Sequence, residues 1–565
     1  MSRITLAIPP FAHFGYLPFS ISALKAFVES QSDDFSCTGV DLNIRYTMNL
    51  QEKPFLDTLM ACLFEHDIHF LLDRREAWVN RVYEDHPAYA DGIRSLKDPE
   101  TYRNMDIFQT YRGLVRRFQG KIQGRFSTVI HELAENLCLN KRMRIPDTLA
   151  AVFASDLARI QEESPDLVGL YLFCPTQMAY ALLFAQFLKQ NMDVPVFGVG
   201  SLFGKNDPRK LLETFSCLDG IIVGGAEHGL GDAARWVPEG RYENISGLAF
   251  FKDGDFVINA PRYVEDINTL PYPDPTDFSP EAYPFPFPVM PLQFSRGCYW
   301  NRCAFCARVD ELVDRDRYAT KTTERCLAEL SYFADRGFRH FLFVDDAISP
   351  GRLKQLSDAI LEKGLDIRFC FAARSEKAFT EPLLRRIRQA GGQVWFVGVE
   401  SFSQGVIDAM NKGTVVSETV QVLKNAHVAG LFNVIFLIHG FPVPGLQDPA
   451  LEKEIIDDLG CAVDDIRIFL FTLSAGSPIL QHQETYGIRN ARPIPQFQKA
   501  PDLVCLGWKF DGYDAARKDY LRFRNEVRGA FETRSELFVN GFVDPGHLLA
   551  LCEYGGANPV PEGSE

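Results

Sequence analysis

The chain opens on a short apolar run, Ile4-Thr5-Leu6-Ala7-Ile8, stopped by Pro9-Pro10. An apolar run of this length, bounded by a breaker, predicts a buried β-strand. An apolar stripe at three- and four-residue spacing over about 19–30 predicts a helix, and a second strand is expected near 38–43. From 52 to about 164 the pattern changes: charges alternate with Leu, Phe and Tyr at helical spacing, and strand signals are few. This stretch reads as a helical insertion. The alternation of strand and helix then resumes, with strands at 167–173, 194–199 and 220–224 and helices near 177–190 and 207–215. A β-hairpin is expected at about 246–259, around Lys252-Asp253-Gly254-Asp255. Such alternation specifies a parallel sheet covered by helices on both faces. Ligands of these sheets bind beyond the carboxyl ends of the strands.

Residues 266–290 hold seven prolines and no helical period, which marks a linker. Six strand–helix units follow, with strands expected at 291–295, 340–344, 367–372, 394–399, 433–438 and 466–471. That number of units indicates a partial or full α/β barrel with its site at the carboxyl ends of the strands. The fold class is therefore α/β. Residues 1–265 form a Rossmann-like, doubly wound domain with the insertion at about 52–164, and 266–290 link it to the barrel at 291–485. Residues 486–565 form a small α-rich segment capping the barrel, with one helix near 513–532 and a polar tail.

Composition narrows the class. With 565 residues, 46% hydrophobic and 24% charged, the chain is ordinary globular protein. Its 59 basic residues against 74 acidic ones give a net charge of −15, which disfavours nucleic acid and anionic membranes as partners. No stretch approaches the ~18 apolar residues of a membrane span. No apolar h-region follows Met1, so no signal peptide is expected. The 13 cysteines are odd in number and mostly scattered, unlike a secreted disulfide scaffold. A reducing cytoplasm is the expected compartment.

Three cysteines nonetheless crowd into Ser295-Arg296-Gly297-Cys298-Tyr299-Trp300-Asn301-Arg302-Cys303-Ala304-Phe305-Cys306, directly after the first predicted barrel strand. Thiolates are soft ligands for iron–sulfur clusters and zinc. Zinc sites normally close with four protein ligands. Here the nearest further cysteine, Cys326, falls in a predicted helix beside Leu327 and Leu330. Three ligands on a four-iron cluster leave one iron open to another group. The competing reading is a zinc site completed by a distant ligand, in a non-catalytic metal-binding or adaptor protein.

In this context the sequence resembles the radical S-adenosylmethionine (SAM) superfamily, which places a cysteine loop after its first barrel strand. The usual spacing is C-x3-C-x2-C, and this chain has C-x4-C-x2-C. The resemblance implies that Cys298, Cys303 and Cys306 hold a [4Fe-4S] cluster whose free iron chelates SAM. It places Phe305 near the adenine. Other motifs match in order. Phe343-Val344-Asp345-Asp346 ends the second strand, implying Asp345 and Asp346 near the SAM amino group, and Arg374 follows the third, where it would pair with a carboxylate. Gly398-Val399-Glu400-Ser401-Phe402-Ser403-Gln404 resembles the family's ribose motif, with Phe402 replacing a glycine, and Asp408-Ala409-Met410-Asn411-Lys412-Gly413 follows suitably. Phe436-Leu437-Ile438-His439-Gly440-Phe441-Pro442 resembles the fifth-strand segment beside adenine, implying His439 and Gly440. Ala475-Gly476-Ser477-Pro478 resembles the turn after the sixth strand. Read singly, the aspartates are ordinary helix caps, Arg374 a surface ion pair and Glu400 a core salt bridge. Their order along the strands carries the resemblance.

The first domain is similar to the cobalamin-binding domain of one radical SAM subgroup. The matching positions are Pro10 and Phe11 after the first strand, then Cys174, Thr176 and Gln177, then Gly200 and Ser201, then Gly224, Gly225 and Glu227. Glycines at strand ends let a backbone approach a bulky ligand. No Asp-x-His-x-x-Gly motif is present, so no lower axial histidine is implied. His13 and His228 read as polar loop residues, and Cys370 as a small buried hydrophobe. Without G-x-G-x-x-G, NAD is not expected. The resemblance implies a cobalamin-dependent enzyme that methylates an unactivated carbon of a specialised metabolite or peptide, through a 5′-deoxyadenosyl radical and methylcobalamin. Electrons would come from an external flavodoxin- or ferredoxin-type donor. The alternative within the family is a non-methylating rearrangement, cyclisation or crosslink. Cys461, Cys505 and Cys552 are too dispersed for an auxiliary cluster.

Overall fold

Strand β1 (Ser2–Ile8) lies between β2 (Phe35–Asp41) and β3 (Leu167–Tyr171) in the first sheet of the computed structural model, which describes residues 2–12, 15–67, 72–307, 318–443, 445–531 and 544–555. The sheet continues through β4 (Val196–Val199) and β5 (Gly220–Ile222), all parallel. The antiparallel hairpin β6 (Leu248–Lys252) and β7 (Asp255–Ile258) completes it. The chain leaves β1 toward β2 on one side and β3 on the other, so their carboxyl ends flank a switch point, where doubly wound sheets bind ligands. β2 stops earlier than its apolar run suggests. The Asp41 carboxylate accepts the Ile44 N–H at 3.0 Å and caps a helix over Leu42–Asn49.

The insertion is helical, with helices Lys53–His66, Leu72–Ser95, Met105–Leu139 and Asp147–Glu162. The longest is capped by Asn104, whose side chain accepts the Asp106 and Ile107 N–H groups. Phe108, Val115, Phe118, Ile122, Phe126 and Val129 make its buried stripe. The proline-rich stretch is docked against the first domain. Lys25 Nζ reaches Asp274 at 3.2 Å and Asp277 at 2.8 Å, and the Tyr283 hydroxyl donates to Asp41 at 2.8 Å. Phe278, Tyr283 and Phe285 are buried beside it.

The second sheet begins at β8 (Val289–Leu292). A two-residue antiparallel pair, β9 (Ser295–Arg296) and β10 (Ala319–Thr320), brackets the cysteine loop. Then come β11 (His340–Phe343), β12 (Arg368–Ala373), β13 (Gly392–Glu400), β14 (Phe432–His439) and β15 (Asp465–Leu470). The order β15-β14-β13-β12-β11-β8 is parallel throughout, and its edges β8 and β15 do not pair. The barrel is therefore partial. Burial of both faces explains the nearly continuous apolar strands.

The carboxyl-terminal part departs from the expected helix and polar tail. Helix Tyr513–Phe531 is present, but an antiparallel hairpin, β16 (Arg492–Pro495) and β17 (Cys505–Lys509), precedes it. Helix Pro545–Tyr554 then buries Leu548, Leu549, Leu551 and Cys552 in the core that also holds Cys370, Val394 and Phe432. Its His547 accepts or donates a 2.7 Å hydrogen bond with Tyr102 of the insertion. Apolar burial overrides the polar character of the flanking sequence. His228 lies on helix Ala226–Trp236 rather than in a loop, edge-on to Phe27. His13 lies outside the described residues. Among the described residues no helix is long and apolar enough to cross a membrane.

Candidate functional site

The carboxyl edge of the second sheet surrounds a cavity of about 560 Å³, within the range of small-molecule sites. Cys298, Cys303, Phe305 and Cys306 line it from the cysteine loop. Asp346, Arg374, Gly398, Glu400 and Lys412 line it from the strand ends, with Phe396 and Phe436 as apolar walls and Gly476, Pro478 and Gln481 from the loop after β15. Burial pushes the Cys303 thiol up to about 11, with Lys412 and Arg374 pulling the other way. Among the described residues no three His, Cys, Asp or Glu side chains converge on a single-ion site. The three thiols instead share the lining of one wide cavity, a donor set and spacing that fit a polynuclear cluster.

The polar wall is an ordered network. A register shift between Gly398 and Glu400 and a positive φ of 69° at Glu400 end β13. Lys412 Nζ donates to Glu400 Oε1 at 2.7 Å, and both are buried. A side chain at Gly398 would collide with those two groups, so glycine keeps this wall open. Arg374 is 4% exposed. Its Nε donates to Glu376 at 3.1 Å and its Nη2 to the Lys412 carbonyl at 2.5 Å. Its Nη1 is buried without a partner.

Other predicted residues sit beside the cavity rather than on it. Asp345 is buried, accepting from the Ser295 hydroxyl at 2.5 Å and the Phe294 N–H at 3.2 Å. It anchors the start of the cysteine loop, and burial raises its carboxyl to about 6. The Ser401 hydroxyl donates to Glu452, which also accepts the Phe402 N–H. His439 faces the other side of β14, its ring stacked on Phe523 at 5.0 Å, and burial lowers its pKa. The Gly440 N–H donates to Gln447 at 2.8 Å. Of the further cavity residues, Asn301, Lys412 and Phe436 lie inside motifs legible in the sequence but carry no role there, and Phe396 and Gln481 lie outside those motifs. Strand alternation from Phe436 was the available signal, since it puts residue 439 on the opposite face.

At the first sheet, the loops after β1 and β3 are tied together. Thr176 Oγ1 donates to the Phe11 carbonyl at 2.8 Å, and Cys174 Sγ lies 3.1 Å from Thr176 Oγ1. Gln177 Nε2 donates to the Pro9 carbonyl at 2.9 Å, while its Oε1 accepts the Phe173 and Cys174 N–H groups. Phe11 has a φ of 74°, and Pro10 is buried before it. Phe173 is 41% exposed on this rim. The strand-end glycines serve internal packing. A Cβ at Gly200 would come within 2.4 Å of the Leu172 carbonyl, and one at Gly225 within 2.3 Å of the Arg262 carbonyl. Gly224 is crowded by Pro261, and Ser201 starts a one-turn helix over Ser201–Gly204. Glu227 turns toward the second domain, where Arg296 Nη2 donates to it at 2.5 Å. This buried pair joins the rim of the first sheet to β9, just before the cysteines. The β16–β17 hairpin also bridges the two edges: Gln496 donates to the Pro175 carbonyl at 2.8 Å, and the Trp508 N–H to the Leu473 carbonyl at 2.8 Å.

The pattern of the radical SAM superfamily matches residues 292–452. An uncharacterized methyltransferase of Pyrococcus horikoshii is 27% identical over 299 residues, 51% of this chain and 63% of that protein. The 4′-phospho-dehydrooxetanocin synthase of Priestia megaterium is 23% identical over 304 residues, 49% of this chain and 40% of that protein. Each match therefore covers less than two thirds of the relative's own length. Among solved structures, the radical SAM methyltransferase TsrM of Kitasatospora setae, with tryptophan and a SAM analog bound, superposes with a TM-score of 0.57. That likeness covers 99% of this chain and 98% of TsrM at 14% identity, and is one of fold. TsrM with cobalamin and a [4Fe-4S] cluster gives 0.56, at 15% identity over 96% of this chain and 92% of TsrM. Residues 292–452 thus carry the radical SAM pattern, and the chain as a whole shares its fold with the radical SAM methyltransferase TsrM.

Proposed function

We propose that this chain is a cobalamin-dependent radical SAM methyltransferase acting on an unactivated carbon of a small specialised metabolite or peptide. The observation that carries the reading is the barrel cavity, where three thiols, the Glu400–Lys412 pair and the unpartnered Nη1 of Arg374 line one space. Cys298, Cys303 and Cys306 would hold the [4Fe-4S] cluster. Arg374 offers its remaining donor to the SAM carboxylate, and Glu400 offers an acceptor to the ribose hydroxyls, with Lys412 fixing its orientation. Asp346 lines the same cavity for the SAM amino group, while Phe305, Phe396 and Phe436 give the adenine an apolar surround. The carboxyl edge of the first sheet, where Phe173, Cys174 and Thr176 reach the surface over the buried Pro10, Phe11 and Gln177, would take the corrin at the switch point. When bound, the cluster and SAM supply a 5′-deoxyadenosyl radical, and the corrin supplies the methyl carrier. The protein positions these groups, and the β16–β17 hairpin spans from the loop after β3 to the loop after β15. TsrM was solved with tryptophan as its substrate, which supports a small molecule here. An external donor of flavodoxin or ferredoxin type would deliver electrons in the cytoplasm.

The name of the second curated relative, a synthase, favours one further reading, a radical SAM enzyme that rearranges its substrate without methylation. Anaerobic reconstitution with iron, sulfide and hydroxocobalamin separates the two. About four irons and one tightly held corrin per chain, with S-adenosylhomocysteine formed alongside 5′-deoxyadenosine, support the methyltransferase. Deoxyadenosine without S-adenosylhomocysteine in the presence of turned-over substrate supports the rearrangement. Zinc in place of iron rejects both.

A further inference from the structure

The cysteine loop is one residue longer than the usual spacing of its superfamily, and the structure shows where the extra length goes. Gly297 and Asn301 adopt positive φ values of 78° and 44°. Between them, Trp300 leaves the loop and seats against the turn that follows β13. Its Nε1–H donates to the Asn411 carbonyl at 2.8 Å. Its six-membered ring lies against Gly413, which has a φ of 70° and where a Cβ would come within 2.1 Å of Trp300 Cζ2. No other residue fits there without displacing the indole. A second tie lies nearby, the Ala304 N–H donating to the Met410 carbonyl at 2.8 Å. The cysteine loop and the 410–413 turn are thus stapled twice.

The other face of the staple is Arg374. Its guanidinium carbon lies 4.1 Å from the Trp300 ring centroid, a cation–π distance. Glu376 takes its Nε, the Lys412 carbonyl takes its Nη2, and Tyr299 of the loop donates to the same Glu376 oxygen at 2.6 Å. Only Nη1 is left without a partner. The same Lys412 carries the Glu400 carboxylate on its ammonium. Indole, guanidinium and the 410–413 backbone therefore form one rigid assembly.

We propose that Trp300 is a positioning residue, which latches the lengthened cysteine loop onto the 410–413 turn and so aims Arg374 and Glu400 at the occupant of the cavity. It touches no reacting atom. Its effect is a coupling: the cluster-bearing loop and the SAM-binding wall take their working positions together. The inference rests on the reading of the cavity as the cluster and SAM site.

The test uses the reconstituted 565-residue chain carrying Trp300→Ala, Trp300→Phe or Gly413→Ala. Iron content, the dissociation constant for SAM and the electron paramagnetic resonance spectrum of the reduced cluster with and without SAM are measured. The expected result for Trp300→Ala and Gly413→Ala is wild-type iron content with SAM affinity weakened about 10- to 100-fold, the range for lost outer-shell support. The SAM-induced spectral change is then reduced. Trp300→Phe, which keeps a ring over Arg374 but loses the hydrogen bond, lies between. Should Trp300→Ala lose iron, the other two variants decide, because Trp300→Phe keeps an aromatic ring at that place and Gly413→Ala leaves the cysteine loop itself unchanged. Wild-type SAM affinity and spectra in those iron-loaded variants overturn the latch. Failure of the wild-type protein itself to take up iron or SAM overturns the underlying reading instead.

Discussion

At the carboxyl edge of the barrel sheet, Arg374 keeps Nη1 buried without a partner. At the carboxyl edge of the first sheet, Thr176 and Gln177 satisfy the carbonyls of Phe11 and Pro9, and Glu227 is turned to Arg296. The two edges are topologically equivalent, since both are the ends of parallel strands. They differ in what they leave undone. An unpaired buried donor costs about 1–3 kcal/mol, which a ligand accepting from it relieves. The barrel edge is complete only with an occupant. The first edge also leaves Glu227 Oε2 and Arg296 Nη1 buried without partners, but within the pair that joins it to β9. Its loops after β1 and β3 are tied to each other, so a corrin over them would be held by shape and by apolar surface such as Phe173. One fold position can thus be built for directional recognition or for accommodation.

The largest expected effect lies on the barrel side. Cys303→Ala should lower cluster content and bring deoxyadenosine formation to the background without enzyme, measured by chromatography of SAM turnover. Turnover retained in this variant would reject the thiol assignment. Arg374→Ala should weaken SAM binding about 10- to 100-fold, as expected for a charged hydrogen bond of about 1.5–3 kcal/mol. Corrin retention in this variant should match the wild type, and a parallel loss of corrin would erase the contrast between the edges. Gln177→Ala acts on the other side. It strips three rim contacts, so unfolding stability should fall by about 1–3 kcal/mol. Corrin retention should fall while iron content holds. Equal loss of iron and corrin would show the edges to be a single unit.

The smallest effect concerns pH. Burial lifts the folded-state Asp345 carboxyl from 3.8 to about 6. The folded chain therefore binds more protons than the unfolded chain between those values, and stability declines as pH rises through that window. Asp345→Asn removes the titration. Its melting temperature relative to wild type should climb between pH 4 and pH 6 and then level off. A difference independent of pH would show that Asp345 does not carry the slope.

Much of this was legible in the chain itself. The six barrel strands announce themselves as short apolar runs between helices, because a strand buried on both faces has no polar side to show. The cysteine spacing is local and covalent, so it survives any packing. Asp345, Ser401 and His439 were harder. Their place at strand ends was readable, but each side chain turns to a neighbour, Ser295, Glu452 or Phe523, supplied by a distant segment. The apolar Leu548, Leu549 and Leu551 do not by themselves mark the helix Pro545–Tyr554 within a polar stretch. Its burial depends on the barrel interior and the insertion meeting there.

The sequence by itself determined the order of strands and helices, the acidic balance and the three thiols on one loop, since each depends on residues a few positions apart. Tertiary structure alone decided that Trp300 rests on Gly413, that Arg374 is left with one open donor, and that Glu227 meets Arg296 across two domains. These pairings join residues far apart in the chain. Only packing sets the direction of each side chain and the group it reaches.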